Sequence, residues 1–125
     1  MIYLDTHVVV WIYAFGSEKL SRRACQLIEQ SGKVLISPIV LLEIELLGEI
    51  GKLNVGSKTI FEFLTARGLL EVSESEFGKV VHTALDQKWT RDPFDRLITA
   101  QAALNGATLI TKDKTIRDNY SRAAW

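Results

Sequence analysis

An α/β fold, with a central parallel sheet of four to five strands between two layers of helices, is predicted by three observations. Short apolar runs alternate with longer stretches of helical periodicity from one end of the chain to the other. Ser37-Pro38 and Asp92-Pro93 each read as an N-cap followed by proline at the first helical position. Glycines close several of the helical stretches. Strands that alternate with helices cannot pair as hairpins, so they pair in parallel with helices covering the faces.

Taken in order, Met1 to Leu4 is a first apolar strand ending at Asp5. Val8 to Phe15 is rich in β-branched residues, but Val8, Trp11, Ile12 and Phe15 fit the i, i+3, i+4, i+7 template, so a helix is expected. Gly16-Ser17 breaks it. Leu20, Ala24, Leu27 and Ile28 mark a second helix from about Lys19 to Gln30, with Cys25 as a core thiol. Lys33 to Ile36 is a strand, and the helix opened by Pro38 runs on to Gly48 or Gly51. Ser57 is the expected cap of a helix carrying Ile60, Phe63 and Leu64 on one face and ending at Gly68. Leu69 to Val72 is a third strand. Ser73 and Glu76 have capping-box spacing ahead of Phe77, Val81, Ala84 and Leu85. Pro93 opens a helix closed by Gly106, Ala107 to Thr111 is a fourth strand, and Thr115 to Asn119 is one helical turn before an edge strand at Ala123 to Trp125.

Composition bounds the function. A chain of 125 residues, 47% apolar and 24% charged, suits one domain spanning 1–125. Such a domain buries roughly two-thirds of its unfolded-chain surface. Lys+Arg and Asp+Glu balance at 15 each, which argues against binding to nucleic acid by bulk charge alone and leaves room for a local basic rim. One cysteine makes neither an internal disulfide nor a thiolate metal site. Asp5 and His7 interrupt the apolar N-terminus, so neither a signal peptide nor a membrane span is expected and the chain reads as cytoplasmic.

The acids carry the chemistry. Asp5 ends the first strand, and it reads equally well as a turn former or a site residue; Thr6 is as good a cap. Glu43 is the most informative. Its helical neighbours are Ile39, Val40, Leu46 and Leu47, and a carboxylate on an apolar face is costly unless paired or bound to a metal. Glu45 and Glu49 lie on another face as ordinary solvated charge. Asp92 is explained as an N-cap, whereas Asp95 at N3 also projects away from the Leu97/Leu104 face. Asp113, two residues past the fourth strand, reads equally as a cap of the Thr115 to Asn119 turn or a site residue, and Thr111 is placed to bond a neighbouring carboxylate or a metal-bound water. Parallel strands put their carboxyl ends on one edge, and helices that follow strands start there. Asp5, Glu43, Asp95 and Asp113 should therefore meet in one cleft. Four clustered carboxylates raise one another's pKa, a strain that hard divalent cations relieve; Mg²⁺ or Mn²⁺ fits this oxygen-only set better than zinc.

With these residues in place, the chain resembles the PIN-domain ribonucleases, most closely the VapC-type toxins of VapBC toxin–antitoxin pairs. Four segments carry the resemblance: Leu4-Asp5-Thr6-His7 with Trp11; Ser37-Pro38 leading to Leu42-Glu43-Ile44 and Gly51-Lys52-Leu53; Asp92-Pro93-Phe94-Asp95-Arg96-Leu97-Ile98 with Ala100-Gln101-Ala102; and Leu109-Ile110-Thr111-Lys112-Asp113. It implies a PIN-like, Rossmann-like sandwich in which Asp5, Glu43, Asp95 and Asp113 match the family's acidic metal-binding quartet, with Thr6 and Thr111 in support. It implies metal-dependent hydrolysis of RNA phosphodiesters by one or two ions. Arg91, Arg96, Lys112 and Lys114 flank the acids and are candidates to hold RNA phosphates. Lys114 reads equally as solvated charge, and Arg96 equally as the structural partner of an acid. His7 is a candidate substrate contact rather than the general base. The expected partners are a small DNA-binding antitoxin, whose tail would occupy the cleft, and a second copy of the chain. Trp11, Tyr13 and Phe15, or Phe61 and Phe63, are candidates for that apolar interface.

Two other functions compete. A phosphatase with Asp5 as nucleophile lacks the second Asp expected two residues on, since His7 stands there. No glycine-rich phosphate loop is present. A PIN nuclease in RNA processing outside a toxin–antitoxin pair, or a non-catalytic PIN-like binding module, also remains. The latter gives no reason for Glu43 on an apolar face.

Overall fold

The computed structural model describes residues 1–125. Five strands, β1 (Ile2–Leu4), β2 (Val34–Ile36), β3 (Glu71–Val72), β4 (Thr108–Ile110) and β5 (Ala123–Ala124), form one sheet in the order β3-β2-β1-β4-β5. Every pairing is parallel. Seven helices connect them: α1 (Thr6–Phe15), α2 (Arg22–Gln30), α3 (Pro38–Glu49), α4 (Ser57–Ala66), α5 (Phe77–Ala84), α6 (Pro93–Leu104) and α7 (Lys114–Asn119). The chain moves outward from β1 to β2 and β3, then crosses back to β4 and β5. Right-handed crossovers running in opposite directions put helices on both faces, which makes the three-layer sandwich. Tyr3, Leu4, Ile36, Leu109 and Ile110 from the strands join Val8, Val40, Ile44, Ile60, Leu64 and Ile98 from the helices in one buried cluster.

The α6-to-β4 junction shows how local sequence sets this path. Gly106 adopts φ 61°, the left-handed conformation that ends a helix at little cost for glycine. The Gly106 N–H donates to the Ala103 carbonyl (3.0 Å) and the Ala107 N–H to the Ala102 carbonyl (2.9 Å). These are the two bonds of a Schellman stop, and they send the chain straight into the central sheet.

Several local expectations are corrected. Helix α1 begins at Thr6 rather than Val8, and its buried side is Val8 and Val9, while Phe15 stands 48% exposed with Lys19 over its ring. Helix α2 begins only at Arg22, because the Ser21 side chain accepts from the Ala24 N–H. Ala24 takes the core position there, and Cys25 is only half-buried. Ser57 is the first residue of α4 and not its cap; its hydroxyl donates to Glu45 Oε2 (3.4 Å), so Glu45 has a partner and is not simply solvated. The Ser73–Glu76 capping box does not form. Ser73 is instead drawn into the sheet, its N–H donating to the Ile36 carbonyl (2.8 Å) and its hydroxyl bonding Tyr3 Oη. No helix is long and apolar enough to cross a membrane.

Candidate active site

The sheet order reverses direction between β1 and β4, and ligand clefts of open α/β sheets form outside the carboxyl ends of strands at such a point. Leu4 pairs with Ile110, so the residues that follow each strand leave the sheet side by side. The Asp5 N–H donates to the Ile110 carbonyl (3.0 Å), which carries the pairing one residue further.

Asp5 is buried and doubly held. Its Oδ1 accepts from the Thr6 N–H (2.8 Å) and its Oδ2 from the Thr111 hydroxyl (2.7 Å). Thr111 Oγ1 in turn accepts from the Asp113 N–H (3.1 Å), so one buried hydroxyl links the two acids. Asp113 caps α7 with Oδ1, which accepts from the Thr115 and Ile116 N–H groups, and this leaves Oδ2 without a protein donor. Asp92 caps α6, its Oδ1 accepting from the Phe94 and Asp95 N–H groups. Glu43 on α3 and Asp95 on α6 are half-buried, and neither carboxylate makes a hydrogen bond or an ion pair.

All four predicted acids line one cleft of about 510 Å³, and Asp92 joins them as a fifth. His7, Trp11 and Lys112 complete the wall. The double duty of Asp92 was readable in its i, i+3 relation to Asp95, which puts both on one side of the helix start. A second concavity, between α3, α5 and α6, is lined by Ile39, Leu42, Phe77 and Leu97 and contains no titratable side chain, so it offers no chemistry.

Burial and crowding set the electrostatics. Asp95 is pushed up to about 7, first by loss of water and then by the charges of Asp92, Asp5, Asp113 and Glu43. Burial likewise raises Glu43, with Asp5 and Asp92 adding to the rise and the Thr6 hydroxyl opposing it. Thr6 Oγ1 is buried and makes no formed hydrogen bond. Burial raises Asp5 too, against the lowering effect of Thr111, the Thr6 N–H and His7.

The donor chemistry fits a hard divalent cation: five carboxylates from four segments, no thiolate, and a single imidazole. No three of these side chains are yet close enough to share one ion as they stand. Like charges repel, and Glu43 and Asp95, held by no hydrogen bond, are the two free to turn inward.

The basic candidates divide. Lys112 and His7 border the cleft. Arg96 does not: its guanidinium donates to the Ala84 carbonyl (2.9 and 3.1 Å) and the Leu85 carbonyl (3.1 Å), tying off the end of α5, so it pairs with neither an acid nor the cleft. Arg91 turns to the Lys88 and Thr90 carbonyls, and Lys114 pairs with Asp118 (2.7 Å).

A parallel α/β sandwich with a carboxylate-lined cleft at its switch point is the class of protein these features define. A family model described as PIN domain matches residues 2–121, and the chain belongs to that family. It is 28% identical over 119 residues to Ribonuclease VapC22 of Mycobacterium tuberculosis, covering 94% of this chain and 91% of that one. Its fold is similar to a toxin–antitoxin complex from Klebsiella pneumoniae, with a TM-score of 0.67 and 16% identity over 100% of this chain and 97% of that one. It is similar also to VapBC2 from Rickettsia felis bound to a DNA fragment from their promoter, with a TM-score of 0.67 and 23% identity over 94% and 92% of the two chains.

Proposed function

We propose that residues 1–125 form a single PIN domain acting as a metal-dependent endoribonuclease, the toxin of a type II toxin–antitoxin pair. The observation that carries the activity is the convergence of Asp5, Glu43, Asp95 and Asp113 in one cleft, with three of the four pushed toward protonation by burial and by each other. A scaffold gains nothing from such crowding. The ribonuclease relative and the folds of the toxin–antitoxin complexes support the substrate and the setting.

In this reading the four carboxylates hold Mg²⁺ or Mn²⁺. The bound ion supplies Lewis acidity, making water nucleophilic at neutral pH and neutralising charge on the phosphate oxygens. The Thr111 hydroxyl and the Thr6 N–H oppose the rise that burial imposes on Asp5 and fix its orientation. Asp113 offers its free oxygen while α7 holds the other. Lys112 at the rim takes an RNA phosphate, and exposed His7 contacts substrate without acting as base.

Asp5→Asn, or chelation with EDTA, is expected to lower RNA cleavage by at least about 1,000-fold, the loss of several kcal/mol of charge stabilisation. Gel analysis of labelled RNA with and without metal checks this, and cleavage that survives both treatments would sink the metal–carboxylate reading. The partner is proposed to be a small DNA-binding antitoxin. A reading frame for such a protein beside this gene favours the toxin over a general RNA-processing nuclease.

We also propose a homodimer. Phe77 and Leu42, 71% and 50% exposed on the rim of the apolar groove, offer a second copy apolar surface to bury. Tyr13, by contrast, already packs edge-on against Phe63 (5.1 Å) within the chain, and Trp11 faces the cleft. Sedimentation as a dimer that Phe77→Asp converts to monomer is the expected result; a wild-type monomer at tens of micromolar refutes it.

A further inference from the structure

Trp11 stands apart from its own helix. Val10, Ile12 and Tyr13 pack against the core, but Trp11 does not; it is the one apolar side chain on the wall of the acidic cleft. The topology puts it there. His7 lies one turn earlier on the same side of α1, its ring centroid 6.1 Å away. From the other side, Ala124 pairs with Ile110 and its carbonyl accepts from the Thr111 N–H (3.0 Å), so Trp125 leaves the sheet at the same edge as Asp5 and Thr111. The Trp125 ring meets Trp11 edge-on at 5.7 Å and 61°, which braces the indole. Lys112 extends from the next position along, its Nζ 5.9 Å from the Trp11 ring centre, at the outer reach of a cation–π contact.

Packing alone is a poor account of this cluster. A tryptophan that merely covers the core is expected to touch the core, and an exposed lysine gains little from so distant a ring. An indole braced beside a carboxylate cluster, with the exposed Lys112 above it, is an arrangement by which proteins seize unpaired nucleotides: the aromatic face takes the base and the cation takes the phosphate. We infer that Trp11 is a stacking platform for an unpaired RNA base next to the scissile phosphate, with Lys112 swinging off the ring to hold the adjoining phosphate. The inference rests on the ribonuclease reading above and assigns to Trp11 the contact that tells an unpaired base from one already stacked within a duplex.

The test uses the full chain with Mg²⁺ and oligoribonucleotides that are either unpaired or annealed to a complement. Trp11→Ala is expected to lower kcat/KM on the unpaired strand by about 5- to 150-fold, the range of one lost stacking contact, mostly through KM. Trp11→Phe, which keeps an aromatic face, is expected to stay within about 3-fold, a few tenths of one such contact. Stopped-flow mixing gives a second readout: wild-type tryptophan emission is quenched before cleavage, and Trp11→Phe loses that quench although it still binds. Should Trp11→Ala fold poorly by circular dichroism, the Trp11→Phe quench still decides the matter. Unchanged constants in Trp11→Ala, equal cleavage of paired and unpaired strands, or an unquenched wild type overturn the platform while leaving metal-dependent cleavage standing. Unchanged RNA cleavage with weakened binding of a Lys/Arg-rich peptide assigns the surface to a protein partner, and also overturns it. A wild-type protein that cleaves no RNA removes both readings.

Discussion

Asp95→Asn is expected to abolish RNA cleavage while raising the melting temperature of the metal-free protein. The two effects share one cause. Folding moves the Asp95 carboxyl from an ordinary value near 3.8 up to about 7, chiefly by burial and secondarily through Asp92 and the other acids. Between those values the folded state binds more protons than the unfolded state, so stability falls as pH rises through that window. The favourable contribution is whole below about pH 4 and gone above about pH 7, as the linkage relation requires. Asparagine keeps the shape and removes the charge. Its gain should therefore be largest at pH 8 in EDTA and vanish toward pH 4. Because Asp95 is only half-buried, water screens much of the repulsion, and a rise of a few degrees, roughly what 1 kcal/mol gives in a domain of this size, is the expected scale. Added Mg²⁺ should reverse the order, since binding to the folded state stabilises the wild type and helps the variant less. Thermal melts at two pH values, with chelator and with Mg²⁺, check all of this. A variant no more stable than wild type at pH 8 in EDTA refutes the electrostatic account of the cleft.

Much of this arrangement was legible because local chemistry and long-range packing agree. Pro38 and Pro93 open helices wherever they sit, Gly106 ends one, and two apolar strands that share a parallel sheet must release Asp5 and Asp113 at one edge. Glu43 stood out because nothing local explained it. What escaped was decided by partners far away in sequence. Ser73 has perfect local credentials as a cap, yet Tyr3, 70 residues earlier, offers its hydroxyl at the end of the sheet and the serine goes there. Arg96 sits among acids in the sequence but finds the bare carbonyls of Ala84 and Leu85, because α5 and α6 pack together. Asp92 showed that a cap and a site residue are not alternatives: one oxygen serves the helix, and the charge still acts on Asp95. Trp11 fits a helical stripe in the sequence, and only the parallel docking of β5 reveals that Trp125 props it toward the cleft.

Thr111→Val is expected to cripple the site without touching a metal-binding carboxylate. The hydroxyl is fully buried, donates to Asp5 Oδ2 at 2.7 Å, and accepts from the Asp113 N–H at 3.1 Å. Valine fills the same space but does neither. Losing a buried bond to a charged group costs about 1.5–3 kcal/mol, which lowers the melting temperature by roughly 5–15 °C. The functional effect follows from the sign of the Asp5 shift. Burial raises that carboxyl and the Thr111 bond pulls it back down, so removing the bond raises it further. Asp5 then ionises only at higher pH, and the stability that the neutral form retains is lost over a window moved upward with it. A cation competes with a proton for the same oxygen, so affinity for Mn²⁺ near neutrality should fall about 10- to 100-fold, as is usual when the partner of a ligand is removed. The acid limb of the cleavage profile should move to higher pH, with activity partly recovered under alkaline conditions or high metal. A purely structural threonine would lower stability and leave that limb in place. Thr111→Ser, which restores the hydroxyl and omits the methyl, separates the two: it should regain the wild-type profile even if it melts early. A Thr111→Val enzyme with an unshifted profile and unchanged Mn²⁺ affinity by calorimetry would mean that the Thr6 N–H and burial suffice to orient Asp5.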